Sequence, residues 1–486
     1  MDETYDVVVV GAGLSGIGAA CHLARGCPEE SVLVLEARER TGGTWDLFRY
    51  PGVRSDSSMA TYAYDFAPCT GPTTLGEGAD VLAYLEATAR AYGVDEQVRL
   101  GHRVVRAAWS SKEARWRVTV AHDGRESEVG CRFLWVCTGY YRYDRGHDPA
   151  LAGRETFRGR VVHPQTWPDD LDVDGADVVV LGSGATAVTL VPALVARGAR
   201  VTMVQRSPSY VASVPRVDPW QGRLARSRGI ALQTGLYALS RRAPGLVRAG
   251  LLRGVARQLP PGYDVAAHFT PRYDPWDQRL CVSADGDLFA AIRSGRAEVV
   301  TGTVDRLVPG GVRMASGREV PADVVVTATG LELLALGGLE LVVDGEVVDP
   351  ADRLAHRGVM LAGVPNLATT LGYSAASWTL RADVVAHHVV RLLRRLRRRG
   401  LASVTPVPPA RPQRRRPLLA LRAGYVLRGA DRLPGQGERH PWVLRQDPVR
   451  ERLSFALRRR TTGLRFVRER DVTSASASGA AEGGSR

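Results

Sequence analysis

Two glycine-rich turns carry the first recognisable chemistry of this sequence. In YDVVVVGAGLSGIGAACHLARG a run of valines, Val7 to Val10, meets Gly11, Gly13 and Gly16 in the spacing G-x-G-x-x-G, and a small-residue segment continues to about Arg25. Gly11 permits a tight turn, Gly13 lets a pyrophosphate approach the backbone, and Gly16 lets helix and strand pack closely. The start of the helix offers free N–H groups and a positive dipole end to phosphates. The next apolar run, Val32 to Leu35, ends in Glu36, where a carboxylate accepts hydrogen bonds from ribose hydroxyls. With 52 glycines in 486 residues the triplet alone is expected roughly 0.6 times by chance. The strand before it, the helix after it and the acid beyond it make it a dinucleotide site.

A second unit, ADVVVLGSGATAVTLVPALVARGARVTMVQRSPSY, repeats the pattern with Gly182, Gly184 and Ala187. Its following strand, Arg200 to Gln205, ends in Arg206 instead of an acid. A guanidinium there favours a 2′-phosphate, which a carboxylate would repel; a solvated strand-end arginine is the alternative. The pair predicts FAD at the first site and NADPH at the second, a flavoprotein reduced by a nicotinamide.

These sites require an α/β fold: two Rossmann-like dinucleotide-binding domains, the second inserted in the first. ADVVVTATGL (322–331) and WVCTGY (135–140) are apolar runs ending in small-residue turns, as expected where the chain crosses between the two domains. The division expected is 1–140 for the first part of the FAD domain, 141–321 for the NADPH domain, 322–400 for the second part of the FAD domain, and 401–470 for a Pro-rich wrapping segment. RLARSRGIALQTGLYALSRR and LVRAGLLRGVARQLP are helical in pattern and predict a helical insert at about 216–270 beside the active site. Their apolar faces suggest a hydrophobic ketone or thioether as substrate. The end, DVTSASASGAAEGGSR (471–486), has no apolar period and is expected to be disordered.

Composition is that of an ordinary globular protein, 44% hydrophobic. The six cysteines include no C-x-x-C pair, which leaves no sequence signal for a zinc site, any other metal or a dithiol redox centre. Unpaired buried thiols fit a reducing cytoplasm. The acidic start runs directly into a strand, and no apolar stretch approaches the roughly 20 residues that span a bilayer. A cytoplasmic protein is expected. The formal charge of +14 does not predict nucleic-acid binding: Lys112 is the sole lysine, and the arginines concentrate outside the nucleotide units. They are dense in VVRLLRRLRRRG (389–400), where Val385, Val389, Leu392, Leu393 and Leu396 form one helical stripe. That stripe docks on the core or, alternatively, meets an acidic membrane surface as a peripheral contact.

A third stretch, FRGRVVHPQTWP (157–168), sets Phe157, Gly159, His163 and Trp167 at offsets 0, 2, 6 and 10. Chance yields that set in roughly 3 of 10,000 such chains. It matches F-x-G-x-x-x-H-x-x-x-W-[PD], the fingerprint of the Baeyer–Villiger monooxygenases, and GGTWDLFRYPGVRSD (42–56) matches the family's companion pattern. RYDPWDQRLCVSADGDLFAAIRSGRAEVV, VVVTATGL and VPNLATTLGYSAASWTLRAD resemble the ethionamide-activating branch of that family, so the resemblance covers nearly the whole chain. In the cyclohexanone-type branch Lys usually precedes the active-site arginine; here Gln278 precedes Arg279, as in the ethionamide-activating branch, so one expected 2′-phosphate contact is absent and NADPH preference rests more heavily on Arg206 and Ser207.

The resemblance implies an FAD- and NADPH-dependent enzyme that inserts an oxygen atom of O2 beside the carbonyl of a hydrophobic ketone through a C4a-peroxyflavin, giving an ester or lactone. A sulfur- or nitrogen-oxygenating monooxygenase is the alternative, because the same oxygenated flavin, once protonated, reacts as an electrophile. By that resemblance Gly11, Gly13, Ser15, Gly16, Glu36, Thr44, Trp45, Asp46, Leu47, Asp56 and Val104 hold FAD. Arg54, Ser55, Ser183, Gly184, Ala185, Thr186, Ala187, Arg206 and Ser207 meet NADP. Trp45 taken alone reads equally as a core aromatic. Arg279 is the expected catalytic residue, its permanent cation attracting the peroxide and the oxyanion that follows, with Asp56 fixing its direction. His163 invites a general-base role, but beside Pro164 it reads better as a hydrogen-bonded joint, with Trp167 as its packing anchor, in a hinge coupling NADPH binding to the flavin site.

Overall fold

The β-branched runs form the centres of two parallel sheets. A computed structural model of the chain describes residues 3–69, 71–456 and 461–472. In the first sheet β1 (Glu3–Val10) lies between β2 (Val32–Leu35) and β6 (Arg125–Val136), parallel to both, with Val7 opposite Val32 and Phe133. Val7 to Val10 are buried on both faces, as an unbroken valine run in a parallel sheet requires. β3 (Val98–Arg99) continues the β2 edge, and β4 (Arg103–Ser110) and β5 (Arg115–His122) make an antiparallel meander with β6. Helices α1 (Leu14–Gly26), α2 (Thr44–Leu47), α3 (Met59–Tyr62) and α4 (Gly78–Ala91) fill the connections.

After β6 the chain leaves for a second sheet. This sheet comprises β7 (Arg160–Val162), β8 (Asp177–Leu181), β9 (Arg200–Gln205), β12 (Ala297–Thr301) and β16 (Val324–Thr327), all parallel, in the order β12-β9-β8-β16-β7. Helix α5 (Ala185–Ala196) follows β8. Between them β10 (Val211–Val214) pairs in parallel with β11 (Cys281–Ala284), and a parallel pair needs a long crossover. That crossover is helical: α6 (Gly222–Arg242), α7 (Pro244–Ala256) and α8 (Val265–Phe269), with α9 (Asp287–Arg293) after β11. β13 (Val304–Val308), β14 (Gly311–Met314) and β15 (Glu319–Pro321) form an antiparallel meander before β16.

The chain then returns to the first sheet. β17 (Glu340–Val343) pairs with β4, β18 (Glu346–Val347) with β17, and Leu367–Thr369 with β6. Two Rossmann-like units, the second inserted in the first, are the architecture expected. Helix α10 (Trp378–Arg398) lies on α1 and settles the arginine-rich stripe: Val385, Val389, Leu392, Leu393 and Leu396 are at most 6% exposed in the same core as α1. The membrane alternative for that stripe is thereby corrected, since its apolar side is covered by protein. Beyond it come α11 (Gly424–Leu427), α12 (Pro448–Ala456) and the antiparallel strands Leu401–Pro406 and Leu464–Arg468. The tail expected to be disordered lies outside the described residues except for Asp471 and Val472. Those two are helical, and Val472 packs partly buried against the core of the first sheet.

Candidate active site

Both nucleotide turns depend on missing side chains. Gly11 has φ +101°, and a Cβ there would lie 2.8 Å from the Cys137 carbonyl oxygen; one on Gly16 would lie 1.7 Å from the carbonyl oxygen of Gly11. Gly13 caps α1 with no side chain, leaving its first N–H groups to face outward. Glu36, at the end of β2, accepts from the Ala12 N–H at 2.7 Å and the Arg38 N–H at 3.0 Å, so it braces the turn. Burial raises its pKa, and these backbone bonds offset the rise only in part. Val104 is buried in β4 beside this edge, where the His102 N–H donates to the Glu36 carbonyl.

The second turn repeats the plan. Gly182 has φ +139°, with the Ala328 carbonyl oxygen 2.3 Å from any Cβ. Gly184 caps α5 without a side chain, and open space surrounds its absent Cβ. Ser183 Oγ donates to the Ser207 carbonyl at 3.0 Å, tying the turn to the end of β9. Ala187 is buried in the core, whereas Arg206 and Ser207 are exposed at the end of β9.

Between the turns lies a cavity of about 330 Å³. Of the residues predicted from sequence, Gly13, Ser15, Thr44 and Trp45 line it from the first unit, and Ala185 and Thr186 from the second. Arg54, Ser55, Asp56, His163 and Arg279 complete the set. Gly11, Gly16, Glu36, Asp46, Leu47, Val104, Ser183, Gly184, Ala187, Arg206 and Ser207 stand outside its wall, as do Phe157, Gly159 and Trp167. Asp46 in particular spends its buried carboxylate on Arg38 at 2.7 Å, Arg49 at 3.1 Å and Arg40 at 3.3 Å.

Arg279 lies two residues before the start of β11, and Asp56 lies in the loop before α3. Their side chains pair at two points, Nε to Oδ2 2.5 Å and Nη2 to Oδ1 2.7 Å. Burial works against the guanidinium's charge, but the Asp56 carboxylate outweighs it and the pKa rises, so Arg279 stays cationic. Arg54 forms a second fork with Asp287, at 2.7 and 3.2 Å, while its Nε is buried with no partner. Ser55 Oγ is held within its own loop, donating to the Ser57 carbonyl at 2.9 Å.

The fingerprint segment is built into the second sheet: its middle, Arg160–Val162, is the edge strand β7 paired with β16. Phe157 is buried in the core, and a Cβ on Gly159 would meet the Asp323 carbonyl oxygen at 2.1 Å. His163 Nδ1 accepts from the Gln165 N–H at 3.1 Å, capping the 3₁₀ turn Pro164–Thr166, and its Nε2 is buried without a partner. Burial lowers its pKa, so the ring is neutral at physiological pH. Trp167 packs against the core of the second sheet.

An aromatic wall escaped the sequence reading. Tyr140, Tyr141, Tyr143, Tyr62, Trp378 and Tyr425 all line the cavity. Tyr140 stacks on Trp378 with centroids 5.4 Å apart, and Trp378 Nε1 donates to Ser15 Oγ at 2.9 Å. Tyr141 and Thr44 share a hydrogen bond of 2.5 Å, and Trp45 Nε1 donates to Tyr62 Oη at 2.8 Å. Burial raises the pKa of Tyr62, Tyr140, Tyr141 and Tyr143, which keeps them protonated. Three tyrosines within GYYRY, directly after a predicted domain crossing, were the available signal.

Dinucleotides fit these groups: two uncapped helix starts, an acid at the end of β2, an aromatic cavity, and the unpartnered Arg54 Nε and His163 Nε2 in its wall. Among the described residues His22, Asp65 and Asp383 come close enough together to hold a metal ion. The Arg226 guanidinium already lies on Asp383 at 3.0 Å and supplies the positive charge there.

Residues 5–238 match the family model for pyridine nucleotide-disulphide oxidoreductases, although all six cysteines here are free. FAD-containing monooxygenase EthA of Mycobacterium tuberculosis is 47% identical over 482 residues, covering 96% of this chain and 99% of that protein. The probable FAD-binding monooxygenase AlmA of Acinetobacter baylyi is 40% identical over 488 residues, covering 97% of this chain and 98% of that one. Among solved structures, oxidized steroid monooxygenase bound to NADP has a TM-score of 0.73 at 22% identity, covering 96% of this chain and 100% of that chain. The open structure of cyclohexanone monooxygenase has a TM-score of 0.71 at 20% identity, covering 84% and 90%.

Proposed function

The chain belongs to the FAD-containing monooxygenases of the EthA and AlmA kind, and from that premise we propose that it is a Baeyer–Villiger enzyme. It consumes NADPH and inserts one oxygen atom of O2 beside the carbonyl of a hydrophobic ketone, giving an ester or lactone. The observation that carries this reading is the Arg279–Asp56 pair in the wall of an aromatic cavity between two nucleotide turns.

FAD, once reduced by NADPH, supplies an activated oxygen from O2. The chain's own residues bind, orient and shield. Gly11, Gly13, Ser15, Gly16 and Glu36 hold FAD at the first turn, with Thr44, Trp45, Asp46, Leu47, Asp56 and Val104 around it. Arg54, Ser55, the run Ser183 to Ala187, Arg206 and Ser207 hold NADP. Arg279 offers a permanent cation to the oxyanion that forms as a carbonyl is attacked, and Asp56 fixes its plane. Tyr140, Tyr141, Tyr62 and Trp378 exclude water from that wall. Neutral His163 is a joint, not a base: its Nδ1 is committed to the turn that leads to Trp167.

The compartment proposed is the cytoplasm, where six unpaired thiols persist. No helix among the described residues is long and apolar enough to cross a membrane. The deciding experiment gives the purified flavoprotein NADPH, 18O2, and either an aliphatic ketone or a thioether. One labelled oxygen in an ester carries the Baeyer–Villiger reading. A sulfoxide with no ester at any ketone chain length replaces it with the heteroatom-oxygenating alternative, in which no carbonyl oxyanion forms and Arg279 matters less.

A further inference from the structure

Helix α6 is held on one side and bare on the other. On its inner side Arg226, 14% exposed, donates to the Ala63 carbonyl at 2.5 Å and pairs with Asp383 at 3.0 Å. Over its first turns the helix also presses on α3, since a Cβ on Gly229 would meet Thr61 Cγ2 at 2.6 Å; two turns further along the same face that cover has ended. On the outer side Leu224, Leu232, Leu236 and Leu239 are 68%, 57%, 40% and 45% exposed. Their spacing of 8, 4 and 3 residues places them on one face. Trp220 before the helix is 48% exposed, and Leu246 after it is 71% exposed. A soluble surface carries single exposed leucines without consequence, but a stripe along a helix about 30 Å long needs an occupant.

Charge identifies the occupant. From 219 to 263 the sequence holds eight arginines and no Asp or Glu. Arg228 and Arg241 reach acids flanking this segment, Asp218 at 3.4 Å and Asp277 at 3.3 Å. Among the described residues Arg223, Arg242, Arg253 and Arg257 are exposed and make no ion pair. A second copy docked face to face would set arginines against arginines, and a nucleic acid would leave the leucines in water. An anionic bilayer satisfies both: leucines enter the acyl boundary while arginines stay among the headgroups.

We propose that α6 and the start of α7 dock this protein on an anionic lipid surface, with Leu232, Leu236 and Leu239 inserted and Trp220 at the interface. The docked face lies behind α3, whose Tyr62 lines the cavity, so on the oxygenase reading a hydrophobic ketone would arrive from the phase in which it partitions.

The test floats the full-length flavoprotein with vesicles of phosphatidylcholine alone or mixed with phosphatidylglycerol, without turnover, so that failure here leaves the oxygenase reading intact. The expected result is at least tenfold stronger binding to the anionic vesicles, weakening with salt. Leu232→Asn/Leu236→Asn and, separately, Arg223→Glu/Arg242→Glu should each reduce binding fivefold or more, with flavin absorbance and Tm unchanged. The proposal is overturned if anionic vesicles are not bound at low salt, or if neither double variant changes binding. It is equally overturned if the leucine variant converts an oligomer to a monomer while vesicle binding persists, or if duplex DNA competes the protein off the vesicles at physiological salt.

Discussion

The two-point ion pair of Arg279 with Asp56 joins residues 223 positions apart, one entering β11 and the other in the loop before α3. Both ends of a guanidinium fork are used, so the plane of the cation is fixed as well as its place. Four segments of chain converge on the same wall, with Tyr140 after β6 and Tyr425 in α11. No local periodicity could reveal such a meeting.

From this geometry, Arg279→Ala is expected to lower ester formation about 10²–10³-fold while leaving FAD bound. Arg279→Lys keeps a charge but loses the fork, and is expected to recover only a small part of the rate. Asp56→Asn leaves the guanidinium without its counter-charge and is expected to slow ketone oxygenation more than thioether oxygenation. Initial rates of ester and sulfoxide formation with saturating NADPH measure all three. Full ester formation in Arg279→Ala would remove the residue from the chemistry.

Gly159 and Gly184 separate folding from binding. At Gly159 a Cβ would sit 2.1 Å from a backbone oxygen, so Gly159→Ala is expected to cost about 1–3 kcal/mol of stability. At Gly184 the same methyl meets no protein atom within 4 Å. Gly184→Ala is expected to leave Tm unchanged and raise the KM for NADPH about tenfold, because the methyl occupies the approach to the α5 N-terminus. Thermal melts beside NADPH titrations show whether the two effects part in this way.

What was legible in the sequence was what local physics dictates. Valine runs forecast buried parallel strands, and the glycine spacing forecast turns that leave no room for a side chain at Gly11, Gly16 and Gly182. The α10 stripe forecast a covered face, although periodicity could not say whether protein or lipid covers it; packing on α1 decides. What stayed hidden was non-local. The sequence shows an acid at Asp46 but not the three arginines that saturate it. It shows a fingerprint at 157–168 but not that its centre is an edge strand of the second sheet. The aromatic wall is assembled from residues as far apart as Tyr62 and Tyr425, and only the fold adds them together.

Arg206 stands exposed at the end of β9, with no ion pair among the described residues, where a 2′-phosphate would be read. Arg206→Ala is expected to raise the KM for NADPH about 10- to 100-fold and to change that for NADH less than about threefold. Gln278 beside Arg279 offers no charge to a phosphate, so Gln278→Lys is expected to tighten NADPH binding in the same assay. Equal losses with both nucleotides in Arg206→Ala would mean that the arginine reads no phosphate.

His356 links stability to pH with a definite sign. Its side chain is fully buried, Nε2 donates to the Thr462 carbonyl at 2.8 Å, and Nδ1 is buried without a partner. Burial, reinforced by the Arg357 charge, lowers its pKa from 6.5 to about 4. Between those values the unfolded chain binds a proton that the folded chain refuses, so stability is complete above about pH 6.5 and falls as pH drops toward 4. At pH 4.5 the loss from this one group is about 2 kcal/mol. His356→Gln keeps a donor for Thr462 but cannot titrate, so its own acid loss is expected to be smaller than that of the wild type by about that amount. Urea unfolding of both proteins at pH 7 and pH 4.5 gives the difference directly. Parallel acid losses would show that the imidazole is already protonated in the folded protein, with a partner found at Nδ1.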